Sequence, residues 1–344
     1  MKIVIDITHP AHVNFFKNAV RKLFESGHQI KITVLKRGIL PQIVFKEFEY
    51  VKCVCIGKRS RNIFSILFEA NLIKFFKMMI FVFKNDIDIG LGVGTFLLGA
   101  CLKLKGIPNI QFDDDVERKN EVLLEKITCT KLYFPPICKA SKKVKTYNAS
   151  KEWAYLSPKY FVANREALKE YGIDTKEYIF IREVDTVTVN YRHQKPNIVE
   201  NFAQQLPSSF KVILSLENKS RKKYYPPQWI LLEEPLKDIH SLLYFSKLVI
   251  SSGDSIAREG ALLGVPSVYC GSRKMAINNF VSEKGMLYQI EPEEVPEFAK
   301  KVAQGNINFE NQDIFRQKLL QEWDDVTELI VKETEEHVRT KEKQ

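Results

Sequence analysis

Short apolar runs alternate with longer amphipathic stretches through the first 148 residues, stop, and start again near residue 160. In the first half the runs are KIVIDI (2–7), QIKITVL (29–35), YVKCVCI (50–56), DIDIGLGV (86–93) and IPNIQF (107–112). Each has the length of a strand, and KIVIDI is a compact apolar run. Between the first two, Val13, Phe16, Val20, Leu23 and Phe24 recur at helical spacing, and Gly27 follows as a stop signal. Strand–helix alternation of this kind predicts an α/β fold with a parallel, doubly wound sheet. The second half repeats the pattern: ANREALKEYG reads as a helix, and YIFIRE, FKVILSL, WILLEE, KLVISS and VPSVYC as strands. From about Glu293 the chain reads as helices ending in a charged tail. A chain of 344 residues exceeds one ordinary core. The expected division is a Rossmann-like domain at 1–148, a second at 160–320, and a C-terminal helix with charged tail at 321–344.

Lys and Arg exceed Asp and Glu by 10, which favours anionic partners such as phosphorylated ligands or an acidic membrane face. No nucleic-acid partner is expected, because the basic residues are dispersed and form neither a recognition helix nor an aromatic platform. The six cysteines are scattered, without a metal-ligand spacing, and an acid interrupts the N-terminal apolar run. Both features fit a cytoplasmic protein. One stretch, RNIFSILFEANLIKFFKMMIFVFKND (61–86), is apolar around most of a helix, but Glu69, Lys74 and Lys77 make it a poor membrane span. It reads as a buried helix, or as a peripheral surface with Arg59, Arg61, Lys74, Lys77 and Lys84 on anionic head groups.

In open parallel sheets ligands bind beyond the C-terminal ends of strands, and four segments fall there. THPAH follows the first strand; His9 and His12 are candidates for a general base or for a donor to a sugar or phosphate, and His12 also reads as a helix cap. GLGVGTF carries Gly92 and Gly94, which allow close backbone approach or make a tight turn. QFDDDVER places Asp113, Asp114 and Asp115 at a strand end; Asp114 with Glu117 has capping-box spacing, and a further carboxylate is left to orient a hydroxyl or take its proton. No metal is expected from carboxylates alone. KLVISSGDSIAREGALLGVPSVYC runs a strand into Ser252–Gly253 and opens a helix at Asp254 or Ser255, a helix start suited to a pyrophosphate. Glu259 lies within two turns of that start, on the side of a ribose, or else forms a solvated face with Arg258.

The chain resembles domain-of-unknown-function family 354, itself similar to the non-hydrolysing UDP-N-acetylglucosamine 2-epimerases and to the N-acetylglucosaminyltransferase that makes lipid II. The resemblance rests on IDITHPAHVNFFKN, IPNIQFDDDVE, KEWAYLSPKYF, DIHSLLYFSKLVISSGDSIAREGALLGVPSV and FVSEKGMLYQI, in that order along nearly the whole chain. It implies a GT-B-like fold, two Rossmann-like domains facing a central cleft, with the final helix crossing back to the first domain. It also places Ser252 and Gly253 at a diphosphate, Glu259 at ribose hydroxyls and Leu232–Pro235, including Glu234, beside a base. His9 would face the cleft from the first domain.

Together these readings lead to a metal-independent glycosyltransferase. It moves a sugar from a nucleotide-diphosphate donor, UDP-linked, to an acceptor in surface glycan assembly. Arg182, Glu234, Ser252, Gly253, Asp254, Ser255 and Glu259 hold the donor. His9 or Asp115 acts as base, and His12, Gly92, Gly94, Asp113 and Asp114 lie on the acceptor side. No cofactor is expected beyond the donor itself. A lipid-linked or glycan acceptor, at the inner face of an anionic membrane, fits the positive charge. The rivals are a nucleotide-sugar 2-epimerase and a non-catalytic nucleotide-sugar-binding protein.

Overall fold

The computed structural model of the protein describes residues 1–59, 71–186, 194–206, 208, 210–232 and 238–339. By internal packing the chain divides into two compact units. Unit 1 is Met1–Tyr155 together with the chain from Trp323 onward, and unit 2 is Leu156–Glu322.

Unit 1 opens with β1 (Lys2–Ile7), α1 (Pro10–Glu25), β2 (Gln29–Lys36), α2 (Leu40–Glu47) and β3 (Lys52–Lys58). It continues with α3 (Lys74–Lys84), β4 (Ile89–Val93), α4 (Phe96–Leu104), β5 (Asn109–Phe112), α5 (Lys119–Thr128), β6 (Lys131–Phe134) and β7 (Val144–Thr146). The strands form one parallel sheet in the order β3-β2-β1-β4-β5-β6-β7. β1 lies between β2 and β4, with Ile3 beside both Ile30 and Ile89, and its residues from Ile3 to Ile7 are buried. That explains why KIVIDI is apolar at successive rather than alternate positions. The one charge within it, Asp6, is matched by Lys74 of α3 at 2.7 Å and by the Thr33 hydroxyl of β2 at 2.7 Å. Lys74 is therefore a buried ion-pair partner, not a head-group contact. Lys77 and Lys84 are exposed, Arg59 is half-buried, and Arg61 and Glu69 lie outside the described residues. Among the described residues no helix is long and apolar enough to cross a membrane.

A single turn, α6 (Trp153–Leu156), leads into unit 2. There follow α7 (Glu166–Lys169), β8 (Tyr178–Glu183), α8 (Ile198–Ala203), β9 (Lys211–Leu216), β10 (Ile230–Leu231), α9 (Ile239–Tyr244), β11 (Leu248–Ser251), α10 (Asp254–Leu262) and β12 (Ser267–Tyr269). The unit closes with α11 (Ala276–Ser282), β13 (Leu287–Gln289), α12 (Val295–Ala303) and α13 (Gln312–Glu322). Its sheet is also parallel, in the order β10-β9-β8-β11-β12-β13. Ile179, Ile181, Val212, Leu214, Leu248, Ile250 and Val268 from four of these strands form the middle of its core.

The chain then rejoins unit 1 through α14 (Val326–Arg339), which packs on α1. The Thr327 hydroxyl donates to the Ala154 carbonyl at 2.8 Å, Glu328 pairs with Lys22 at 2.7 Å, and Trp323 meets Trp153 edge-on. The C-terminal helix expected within 321–344 is α14, which runs to Arg339 and docks on α1. β6, β7 and β13 add strands that the sequence patterning did not mark. The helix expected over ANREALKEYG contracts to α7; of the strand expected over WILLEE, Ile230–Leu231 form β10, and Glu233 and Glu234 lie outside the described residues.

Candidate functional site

Each sheet has one place where consecutive connections leave in opposite directions, and there the strand ends open a crevice. In unit 1 it lies between β1 and β4, so the residues after them, Thr8–His9 and Gly94–Thr95, flank it. In unit 2 it lies between β8 and β11, flanked by Val184–Asp185 and Ser252–Gly253. Both crevices coincide with segments singled out from the sequence.

In unit 1, His9 is the N-cap of α1. Its Nδ1 accepts from the Ala11 N–H at 3.2 Å, with Pro10 opening the helix. The cap expected at His12 thus belongs to His9, while His12 Nδ1 faces the Thr8 N–H at 3.4 Å. With Nδ1 accepting, each neutral imidazole carries its proton on Nε2 and presents a donor there. Burial, then the nearby charges of His9, Lys151 and Arg118, hold His12 well below the ordinary histidine range.

The acidic triplet does not cap α5, whose N-cap is Arg118. Asp113 Oδ1 instead accepts the N–H groups of Asp114 at 2.7 Å and Asp115 at 3.1 Å, and Oδ2 accepts from Arg118 at 2.9 Å. Asp114 pairs with Lys151 at 2.7 Å, and Arg118 Nε lies 3.0 Å from Asp115. All three carboxylates are buried. The expected capping box gives way to a folded acidic turn held by two cations that the sequence reading did not assign. Gly94, at φ +59°, sits over this group: a β-carbon there would lie 3.2 Å from the Arg118 guanidinium and 3.6 Å from Glu125. Gly92 has a packing role, since a β-carbon would fall on the Thr95 hydroxyl that donates to Gln111.

Glu125, in the second turn of α5, is fully buried, and its carboxyl is pushed up to about 9 by burial and then by the neighbouring Asp113 carboxylate. A carboxyl buried beside another keeps its proton well above the ordinary range. The folded chain thus binds a proton that the unfolded chain releases near 4.5. The resulting stabilisation is complete below that unfolded value and is lost as pH rises toward the folded one, at up to about 1.4 kcal/mol per unit. Glu125→Gln should therefore gain stability relative to wild type as pH rises from about 5 to 9. Melting temperatures across that range check this; parallel curves for the two proteins would mean that Glu125 ionises like a surface carboxylate.

In unit 2, the Ser252 hydroxyl donates to Glu183 Oε1 at 2.7 Å and accepts from the Val184 N–H at 3.0 Å. The N–H of Ser252 donates to the Arg182 carbonyl, and that of Gly253 to the Ser251 hydroxyl. Both expected diphosphate contacts are thus occupied within the fold. Gly253, the N-cap of α10, brings no side-chain cap to the helix start, where Asp254 and Ser255 form the first turn. Asp254 would repel an anion, but its carboxylate is neutralised by buried Arg258 at 2.9 Å, itself bonded to Asn278 at 2.7 Å. Glu259 is 6% exposed and lies 3.4 Å from His240 Nε2 on α9. The solvated face that Arg258 and Glu259 were offered as an alternative is ruled out by their burial.

Arg182 donates to the Ser215 hydroxyl at 2.7 Å and to Glu217 at 2.9 Å. Next to it Glu183, which the sequence reading left unassigned, accepts from four donors: Ser252, the N–H groups of Val199 and Glu200 at 2.6 and 3.1 Å, and the Tyr225 hydroxyl at 3.2 Å. A cavity of about 210 Å³ opens beside it, lined by Glu183, Asp185, Asn197, Asn218, Arg221 and Tyr225 among others. Leu232 is buried, while Glu234 and the rest of that segment through Pro235 lie outside the described residues. Among the described residues no group of three or more His, Cys, Asp or Glu side chains is arranged to hold a metal ion.

A family model for proteins of unknown function, DUF354, matches residues 1–339. The chain belongs to the DUF354 family. The uncharacterised protein MJ0665 of Methanocaldococcus jannaschii is 22% identical over 312 residues, covering 83% of this chain and 86% of that one. Among solved structures, UDP-GlcNAc 2-epimerase from Neisseria meningitidis bound to UDP-GlcNAc superposes with a TM-score of 0.64 at 13% identity, covering all of both chains. The glycosyltransferase VinC in complex with dTDP gives a TM-score of 0.64 at 11% identity, again over all of both. At such identity the likeness is one of fold. This DUF354 chain has the GT-B-like fold shared by glycosyltransferases and UDP-GlcNAc 2-epimerases.

Proposed function

We propose that the chain is a metal-independent glycosyltransferase that moves a sugar from a nucleoside-diphosphate donor, UDP-linked, to an acceptor in surface glycan assembly. The observation that supports this best is the unit 2 crevice, where α10 starts without a side-chain cap and with its own acid neutralised. A helix start of that kind stabilises a leaving diphosphate without a metal. Ser255 and the first N–H groups of α10 bind the diphosphate, with Arg182 and Glu183 bracing the strand end beside it. Glu259, oriented by His240, accepts from ribose hydroxyls. In unit 1 the Nε2–H groups of His9 and His12 donate to sugar or phosphate oxygens. Asp115 orients the acceptor hydroxyl and takes its proton.

The direct test is incubation with labelled nucleotide sugars, with and without a membrane extract. Transfer to a lipid supports the reading; isomerisation of the sugar in solution makes the chain a 2-epimerase; binding without turnover makes it a sugar-nucleotide-binding protein. The donor site has its own test. Glu259→Ala should weaken nucleotide binding by about 10-fold to 100-fold, since charge-assisted hydrogen bonds contribute roughly 1.5 to 3 kcal/mol. Glu259→Gln should lose less, and a nucleotide without ribose hydroxyls should bind wild type and Glu259→Ala alike. Calorimetric titration with several nucleoside diphosphates measures this; equal affinity for all would remove Glu259 from the site.

A further inference from the structure

In unit 1, α3 packs on α4 and α4 on α5. Their inner sides enter the core through Met78, Val82, Leu98, Leu102 and Val122. Their outer sides are also apolar: Phe76, Ile80 and Phe83 of α3, Leu104 of α4, and Leu123, Leu124 and Ile127 of α5 are exposed. One such residue is ordinary on a protein surface, but seven on three adjoining helices form a patch that implies a partner.

The charges on the same helices have one sign. Lys77, Lys84, Lys103, Lys119 and Lys126 are exposed, and among the described residues of the three helices Glu121 is the one acid that is not buried. Beside α5 a groove of about 470 Å³ has walls from Val116, Val122, Leu123 and Phe134, with Lys119, Lys126 and Lys139 at its rim. The chain from Lys139 onward adds exposed Lys142, Lys143 and Lys145.

We propose that this helical face docks on an anionic lipid bilayer. The lysines sit at the level of the head-group phosphates, the Phe, Ile and Leu side chains enter the acyl boundary, and the groove beside α5 seats one anionic lipid. Charge complementarity decides among occupants. A second copy of the chain would set lysine rows against lysine rows, with Glu121 on α5 and the exposed Asp86 and Glu117 at the ends of the helices as acids against them. A soluble polyanion would leave the apolar side chains in water. Val116, in the groove wall, directly follows Asp115, so a lipid held there lies beside the acidic turn. Only this last link rests on the transferase reading.

The test is co-sedimentation of the full chain with vesicles of phosphatidylcholine alone or mixed with phosphatidylglycerol. Binding should require the anionic lipid and fall at least about tenfold between about 0.05 and 0.5 M salt. Lys119→Gln with Lys126→Gln should lower partitioning by about 25-fold, at about fivefold per lysine. Leu123→Gln with Ile127→Gln should lower it by about tenfold or more. All four side chains are exposed, so melting temperature and nucleotide affinity should stay at wild-type values. Those two readouts separate failure of docking from failure of the fold or of the donor site. Equal partitioning onto both vesicles, partitioning onto neither, or indifference to both double substitutions overturns the proposal. So does a concentration-dependent dimer that the Leu123→Gln, Ile127→Gln protein no longer forms.

Discussion

Replacing His9 by alanine is expected to lower turnover by about 100-fold to 10,000-fold, the usual contribution of a positioned proton donor or base, while leaving nucleotide affinity nearly unchanged. His9 lies at the unit 1 crevice, away from the donor groups of unit 2 in the sequence and in the sheet order. The substitution also removes the α1 cap, which costs about 0.5 to 2 kcal/mol. His9→Asn separates the two effects, because asparagine caps a helix well but offers no imidazole. Its melting temperature should return toward wild type while its rate stays low. If turnover of labelled donor recovers in His9→Asn, the histidine is a cap, and Asp115 acts without a proton donor from it.

Glu183→Ala carries the largest expected cost in stability, about 3 to 5 kcal/mol, because four donors lose their acceptor at about 1 to 3 kcal/mol each, less what they regain from one another. Ser252, Tyr225 and two N–H groups of α8 would lose one shared carboxylate. Water entering the adjoining cavity offsets part of this, which places the value toward the lower end. Nucleotide affinity should fall as well, because Ser252 precedes the α10 start and is held by Glu183. Glu183→Gln should cost less, since one oxygen still accepts. Urea unfolding gives the difference; a loss under about 1 kcal/mol would mean that the network re-forms around water.

The strongly apolar runs were legible because strands buried on both faces need apolar residues at successive positions, as β1, β8, β9 and β11 have. β7 and β13 have three residues each, and β6 four, too few to show a period. The acidic turn was found as a candidate, but not its cations: Lys151 meets Asp114 across 37 residues of chain, a pairing that no local spacing reveals. The α1 cap was assigned to the wrong histidine because caps are recognised by Ser, Thr, Asp and Asn, and His9 acts through a ring nitrogen. Arg258 and Glu259 suggested a solvated face because charges are rarely buried unless paired. Their partners, Asn278 and His240, come from helices on either side in the sequence. Glu125 reads as an ordinary helix-surface acid beside Lys126, and only the fold brings it near Asp113.

The placement of α14 has a consequence for the birth of the protein. The surface formed by Lys22 of α1, by His28 and by Ala154, which receives Glu328, Glu335 and Thr327, is made early, yet its cover emerges from the ribosome only after all of unit 2. At about 5 to 20 residues per second the nascent amino-terminal half waits on the order of 10 to 30 s with that surface bare. During this interval Lys22, His28 and the Ala154 carbonyl lack their partners. A chaperone contact at α1, or a pause in translation, would act on that interval and on no later stage. Messages truncated before codon 326 should yield chains whose first unit, though complete in every strand, is cleared by proteases faster than the full protein.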